Sequence, residues 1–467
     1  MKLTSLSTED IQAIHDATLR ILSETGVILK EPESRSLLME HGAFMLNGRL
    51  CLPEHLVESC LALCPSKVVL AGRGAEVTIG DGSMHVHNLG GARDVLELER
   101  GVLRAATRYD LAESARLLDA LENVSTVTPL YTPQDVPAAA MTLAMFDQTV
   151  RNTVKPVNGP GVQSREEVQH LAEAIQIVFG KRSAVTLAVS PISPLTYPDE
   201  LLQAILEIAK QGIPFVPLPC PNLGATAPMS LAGALAQQNA ENLAAIVLAQ
   251  LAAPGLPVIY SGRLATINMR TLGPAWGNPE IGLAAAATVQ IGHRYHLPVN
   301  VYGLACNTYG LDIQNGYERA LNAIVPALAG ADELSGVGEM AGGIFSCPAQ
   351  MVIDNEIIGM VQRLWRGFQV NEESLALEVI NSVMQSGRNF MAENHTVNYL
   401  RAGEAWIGTL TMPESNWEAW RDNGSRTVVD RALDSANNIL NQHEVLPLSA
   451  EQSRALDEVM KMVTTND

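Results

Sequence analysis

The sequence predicts an α/β protein, a (β/α)8 TIM barrel preceded by an N-terminal helical extension. Two observations carry this expectation. From about residue 124 onward, short β-branched runs ending in glycine, proline or serine alternate with helical patterns, the mark of parallel β/α units. The composition agrees: 47% hydrophobic and 17% charged residues, with 36 glycines and 4% aromatics, suit small-residue helices packed closely on a covered parallel sheet.

The elements follow in order. "STEDIQAIHDATLRILSETGV" has Ser7 and Asp10 at capping-box spacing and apolar residues at helical spacing. "LPEHLVESCLALCP" reads as a second helix, and residues 1–83 form the helical extension. "HVHNLGGARDVLELERGVLRAATRYDLAESARLLDAL" reads as a loop or short hairpin followed by a helix. Seven strands then stand out: "VSTVTPLY", "VKPVNGP", "VTLAVSP", "IPFVPLPCP", "LPVIYSG", "LPVNVYG" and "ELSGVG". Helices are expected at about 137–150, 163–180, 198–211, 229–253, 279–296, 316–329 and 349–366. An eighth strand, near residues 84–88 or just beyond 388, would close the barrel over 84–440, leaving a tail helix at 441–467. An open doubly wound sheet is the alternative, but the glycine fingerprint after its first strand is missing. In a barrel the site lies at the C-terminal ends of the strands.

A net charge of −19 argues against nucleic acid, which needs a basic face. "MKLTSLSTED" reads as a helix start rather than a leader, and no apolar run reaches the length of a membrane span. A soluble, cytoplasmic protein is expected, and the apolar content points to a homo-oligomer. The six cysteines, Cys51, Cys60, Cys64, Cys220, Cys306 and Cys347, are expected to be reduced.

Which chemistry sits at the strand ends is read partly by elimination. "PCPNLGATAPMSLAGALAQQNAENLAA" places an uncharged turn between a strand and a helix, with no P-loop lysine and no dinucleotide glycine pattern. Thr226 is expected to cap that helix, leaving backbone N–H groups facing the mouth. No G-x-S-x-G nucleophile elbow occurs. After the strands come Tyr131, Tyr197, Tyr260 with Trp276 beyond it, Tyr302 with Tyr309, and then Glu339 and Phe345. Scarce aromatics thus gather on one rim. Rings with one carboxylate and no lysine make a cation cage. The expected cage is Tyr260, Trp276, Tyr302 and Phe345, with Glu339 as counter-charge.

Several segments then resemble the trimethylamine methyltransferase family: "HVHNLGG", "PISPLTYPDE", "NLGATAPMSLAGALAQQNAENLA", "YERALNAIVPALAGADEL", "VIDNEIIGMVQR" and "ENHTVNYLR". The likeness covers about residues 10 to 440, and its most specific stretches are 224–244 and 352–360. It implies a TIM barrel that moves a methyl group from an amine to a corrinoid (cobalamin) carried by a separate protein. The trimethylamine enzymes carry pyrrolysine in a segment similar to "GVGEMAGGIF", near Met340, and this chain has only ordinary residues. The resemblance is therefore to the non-pyrrolysine branch, which implies a quaternary amine such as glycine betaine and no tightly bound metal. On this reading Gly224, Thr226 and Tyr197 face the corrinoid, and Glu339 and His395 are the candidates for a catalytic group. Two alternatives stay open: zinc-dependent methyl transfer from a thiol or alcohol through Cys220, Cys306 and a nearby histidine, and a non-catalytic betaine-binding module.

Overall fold

The computed structural model describes residues 3–410 and 412–465. The outermost residues of the segments expected at 1–83 and 441–467 therefore lie outside the described residues.

The fold is mixed α/β with parallel sheets, and its pairings run in sequence order. His85–Asn88 pairs with Thr126 through His87, Val127 with Val157, and Gly161 with Ala188. Leu187–Val189 pairs with Phe215–Pro217, and Phe215 with Val258. Tyr260–Gly262 pairs with Val299–Tyr302, which pairs with Glu333–Val337. Glu333–Val337 then returns to His85–Asn88, so the last strand lies beside the first. Every one of these pairings is parallel. A strand thus forms at His85–Asn88, in one of the two places where an eighth was expected. "HVHN" hid it by alternating histidine with valine.

Helices cover the strands where the periodicity predicts them, among them Arg165–Phe179, Asp199–Gln211, Pro279–Arg294 and Pro348–Arg366. The longest, Leu231–Ala252, is buried from Ala234 to Gln250 on every face. It lies beneath the first N-terminal helix, Thr8–Arg20, whose capping box of Ser7 and Asp10 is formed as expected. The consecutive polar residues of the long helix are not a solvated face. Asn239 Nδ2 donates to Thr18 Oγ1 and Tyr295 Oη at 3.0 and 2.8 Å, and Asn242 Nδ2 donates to Ser261 O at 2.7 Å. Burying such groups is tolerable only with partners supplied.

The N-terminal segment departs from the all-helical expectation. It contains antiparallel hairpins Phe44–Leu46 with Arg49–Cys51 and Val68–Ala71 with Glu76–Ile79, and a further helix at Pro32–Glu40. Beyond Arg366 the chain continues in short helices to Ala450–Thr465. Among the described residues no helix is long and apolar enough to cross a membrane.

Candidate active site

Strand parity decides which side chains reach the interior, because successive residues point to opposite faces. Asn300 pairs with Ser261, and Val299 pairs with Tyr260. Asn300 points inward, into a buried network: its Nδ2 donates to Glu333 Oε2 at 2.8 Å and lies 2.7 Å from His87 Nε2. Tyr302, two residues on, shares that face. Tyr260 has the opposite parity. Its hydroxyl donates to Asn239 Oδ1 at 2.9 Å and its ring lies 6.1 Å from that of Tyr295, beneath the covering helices. Tyr260 therefore does not join the expected cage.

Trp276, Tyr302 and Glu339 do come together. The rings of Trp276 and Tyr302 meet edge to face at 5.3 Å. Glu339 begins a two-residue strand, Glu339–Met340, that folds back on Phe345–Ser346. Its carboxylate is 1% exposed, and neither oxygen has a well-aligned hydrogen-bond partner. The Tyr302 hydroxyl stands beside the Glu339 carboxylate, its hydrogen-bond partner in poorly aligned geometry. Burial pushes the Glu339 carboxyl up to about 7, against the pull of the Arg319 guanidinium. Burial, and then the Glu339 carboxylate, hold the Tyr302 phenol well above its ordinary range, so it stays protonated.

Phe345 pairs with Met340 rather than with Glu339, which puts its ring on the other face of the hairpin, stacked on Tyr309 at 6.4 Å. It closes the hairpin but is not placed against the carboxylate. Glycines make room for the rings. A Cβ on Gly342 (φ 68°) would stand 2.3 Å from Trp276 Cδ1, and one on Gly336 (φ 119°) would stand 3.0 Å from Tyr302 Cε2. Gly342→Ala is expected to lower stability by about 1–3 kcal/mol, from left-handed backbone strain with the ring clash in addition. A denaturant melt checks it, and a change below about 0.5 kcal/mol would show that the loop relaxes freely.

The family-like segments turn out to brace this site. Arg319, from "YERALNA", and Asp354, from "VIDNEIIGM", are both fully buried and paired at 2.9 Å. Arg319 also donates to Leu304 O at 2.9 Å, and Asp354 accepts the Gly338 N–H at 2.7 Å, so the pair ties the loop after one strand to the loop after the next. Burial opposes the charge on Arg319, but Asp354 beside it holds its pKa above the ordinary arginine value. Glu241, from "NAENLA", accepts from Leu195 N and Ser193 Oγ at 2.9 and 2.8 Å, fixing "PISPLTY".

The remaining expected site residues fall elsewhere. Tyr197 is buried, with its hydroxyl bonded to Glu241 O, and it packs with Val27 and Leu29 of the N-terminal segment, so it does not face a corrinoid. Thr226 does not cap the long helix. Ser230 is the N-cap residue, and Thr226 Oγ1 accepts from Asn222 N at 2.9 Å. The N–H groups of Ala225, Thr226 and Ala227 all donate to Asn222 O, so they are not free for a ligand. Gly224 is exposed with φ 80°. His395 stacks on Tyr399 at 4.3 Å within Asn394–Arg401. Leu400 of that helix lines a groove with Met84, which just precedes the first strand. His395 thus belongs to the end of the sheet opposite Glu339. His87 is bonded to Asn300 and Thr128, and burial lowers it to about 3, so it is neutral. Among the described residues no three of His, Cys, Asp and Glu come together as metal ligands. Cys306 Sγ instead receives the Arg319 guanidinium at 3.4 Å.

Sequence reasoning missed Arg263. It shares parity with Ser261 and is 6% exposed. Its guanidinium lies 5.9 Å from the Tyr302 ring centroid. The available signal was a single arginine closing "YSGR" at the end of an uncharged strand.

A braced, buried carboxylate thus stands beside two rings, and the chain's relatives are methyltransferases. The chain matches the family "Trimethylamine methyltransferase (MTTB)" over residues 1–465, and it belongs to that family. It is 30% identical to trimethylamine methyltransferase MttB of Desulfitobacterium hafniense, over 98% of this chain and 94% of that one. It is 29% identical to a glycine betaine methyltransferase of Desulfitobacterium hafniense strain Y51, over 90% of this chain and 88% of that one. In fold it resembles the Methanosarcina barkeri monomethylamine methyltransferase crystal structure, with a TM-score of 0.55, 12% identity, and coverage of 99% of this chain and 88% of that one.

Proposed function

We propose that this chain moves a methyl group from a quaternary amine, glycine betaine or a related betaine, to the Co(I) corrinoid of a separate protein. On this reading the ring of parallel pairings is a (β/α)8 barrel over 84–440, with 1–83 as its N-terminal extension and 441–467 as its tail. The observation that carries the proposal is Glu339: a buried carboxylate without a well-aligned hydrogen-bond partner, beside Trp276 and Tyr302. An unpaired buried carboxylate is costly unless a cation meets it. A tetraalkylammonium has no N–H to donate, so it suits a site that offers rings and charge but no acceptor geometry.

The corrinoid, when bound, supplies the Co(I) nucleophile. The leaving group from a quaternary amine is a neutral tertiary amine, so the protein need not supply an acid. Its tasks are to hold the cation, to aim one methyl outward and to keep water away. Trp276 and Tyr302 are the walls, Glu339 is the counter-charge, and the bonds of Arg319 and Asp354 hold the two loops in register. The exposed, small Gly224 and Ala225, with Thr226, are the rim we assign to the corrinoid. A side chain there would narrow the approach.

The test compares glycine betaine with 3,3-dimethylbutanoate, which has the same shape with carbon in place of the charged nitrogen. Betaine should bind at least ~10-fold more tightly, and its advantage should grow with pH between 6 and 8, as Glu339 ionises. Equal affinity for the two ligands at pH 8 would overturn the reading. Trp276→Leu or Tyr302→Leu should each weaken betaine binding by about 1–2 kcal/mol, with little change for 3,3-dimethylbutanoate.

A further inference from the structure

Glu339 is not the only ionisable group in this interior that lacks a salt bridge among the described residues. Arg263 is buried and, among the described residues, forms no salt bridge within 4 Å, and its hydrogen bonds there go to neutral oxygens. Its Nη1 donates to Gly262 O at 3.1 Å and Asn300 O at 3.4 Å, and its Nη2 donates to Asn300 Oδ1. Its Nε has no hydrogen-bond partner among the described residues. The nearest buried carboxylate along this network, Glu333, reaches it only at one remove, through Asn300. The neighbouring Cys220 is no counter-ion, because burial pushes its thiol up to about 11. Burial lowers the guanidinium only to about 10, so the charge persists at neutral pH.

Tyr302 links the two groups. Arg263 lies over its ring and Glu339 acts on its hydroxyl. The interior therefore presents a cation over the face of the Tyr302 ring and a carboxylate at its hydroxyl. A simple alkylammonium would satisfy only Glu339 and leave Arg263 bare. A ligand carrying a carboxylate a short chain from its ammonium satisfies both. Guanidinium forks match carboxylates closely, which makes Arg263 the better anchor than a backbone turn. The turn at Gly224–Ala227 has its own N–H groups engaged internally.

We infer that Arg263 binds the substrate carboxylate, and so selects zwitterionic, carboxylate-bearing quaternary amines over plain alkylammonium ions and choline-type alcohols. This rests on the proposed function and names the substrate class for that same site. It makes Arg263 a specificity-determining residue with no part in the bond-breaking step.

Four ligands separate the two claims: glycine betaine, glycine betaine amide, 3,3-dimethylbutanoate and 3,3-dimethylbutanamide, each titrated calorimetrically at pH 8. The betaine-to-amide ratio reads Arg263, and the betaine-to-3,3-dimethylbutanoate ratio reads the cation site. In the unmodified protein, betaine should bind at least ~10-fold more tightly than its amide, as expected for a charge-assisted pair. Arg263→Gln should bring that ratio close to one while the cation preference, read between the two amides, persists. Arg263→Lys should restore part of the ratio. A betaine-to-amide ratio near one in the unmodified protein overturns the assignment without any variant, and so does a ratio that survives Arg263→Gln. If betaine and 3,3-dimethylbutanoate bind alike while both exceed their amides, the cation reading falls and Arg263 stands. If none of the four binds, both fall.

Discussion

Arg319→Met is expected to destabilise the protein by about 3–5 kcal/mol, the range for removing one partner of a buried ion pair. Arg319 and Asp354 are each 0% exposed, so the substitution leaves Asp354 without its counter-charge in the interior, where burial already raises its carboxyl. It also frees Leu304 O, and Cys306 Sγ loses its guanidinium neighbour. Asp354 holds the Gly338 N–H, one residue before Glu339, so cation binding should weaken together with stability. Arg319→Met combined with Asp354→Leu should recover much of the loss, since neither member of the pair is left without its partner. Urea unfolding of the three proteins checks this. A loss below about 1 kcal/mol in the single variant, which is surface-pair behaviour, would contradict the bracing role.

Glu339→Gln is expected to lower cation affinity by about 3–4 kcal/mol, the attraction of unit charges about 4–5 Å apart at an effective dielectric near 20. It should also remove a pH dependence. The folded-state carboxyl, pushed up to about 7, lies above its ordinary value of 4.5, so the folded state holds its proton longer than the unfolded state. Its contribution to stability is complete below about 4.5 and is lost as pH rises through about 7. Glu333, also pushed up to about 7 by burial, adds a loss of the same sign. Without ligand, the Glu339→Gln variant should thus be more stable than the parent at pH 8 and similar at pH 5. With a quaternary amine present the order at pH 8 should reverse. Thermal melts at the two pH values, with and without betaine, measure it, and an unchanged ligand effect in the variant would return Glu339 to a packing role.

The β/α alternation was legible because β-branched runs and helical periods differ in their repeat. The helix expected at 279–296 forms as Pro279–Arg294, and that at 163–180 as Arg165–Phe179. The first strand was less legible, since His85 and His87 interrupt its apolar signal. The hairpin at 44–51 was missed because Phe44–Leu46 is exposed throughout and has no buried face to pattern, and the one at 68–79 because its alternation spans only four residues. Reading the residue that follows each strand picked out Tyr302, Trp276 and Glu339, which the structure brings together. It misplaced Tyr260 because position alone ignores parity, and the same parity would have led on to Arg263. Tyr197 was misread because its loop turns toward Glu241 and the N-terminal segment, a contact with no local signal. The Arg319–Asp354 brace joins residues far apart in the chain, and neither stretch shows by itself that its charge is buried.

The measurement that tests the central claim most directly is single-turnover methylation of free cob(I)alamin, followed by its visible spectrum, with glycine betaine, choline, tetramethylammonium and trimethylamine as donors. The account predicts methylcobalamin and one equivalent of dimethylglycine from betaine, and little or no product from trimethylamine, which has no carboxylate for Arg263 to hold. Methylation from trimethylamine alone, or from none of the four, would contradict it.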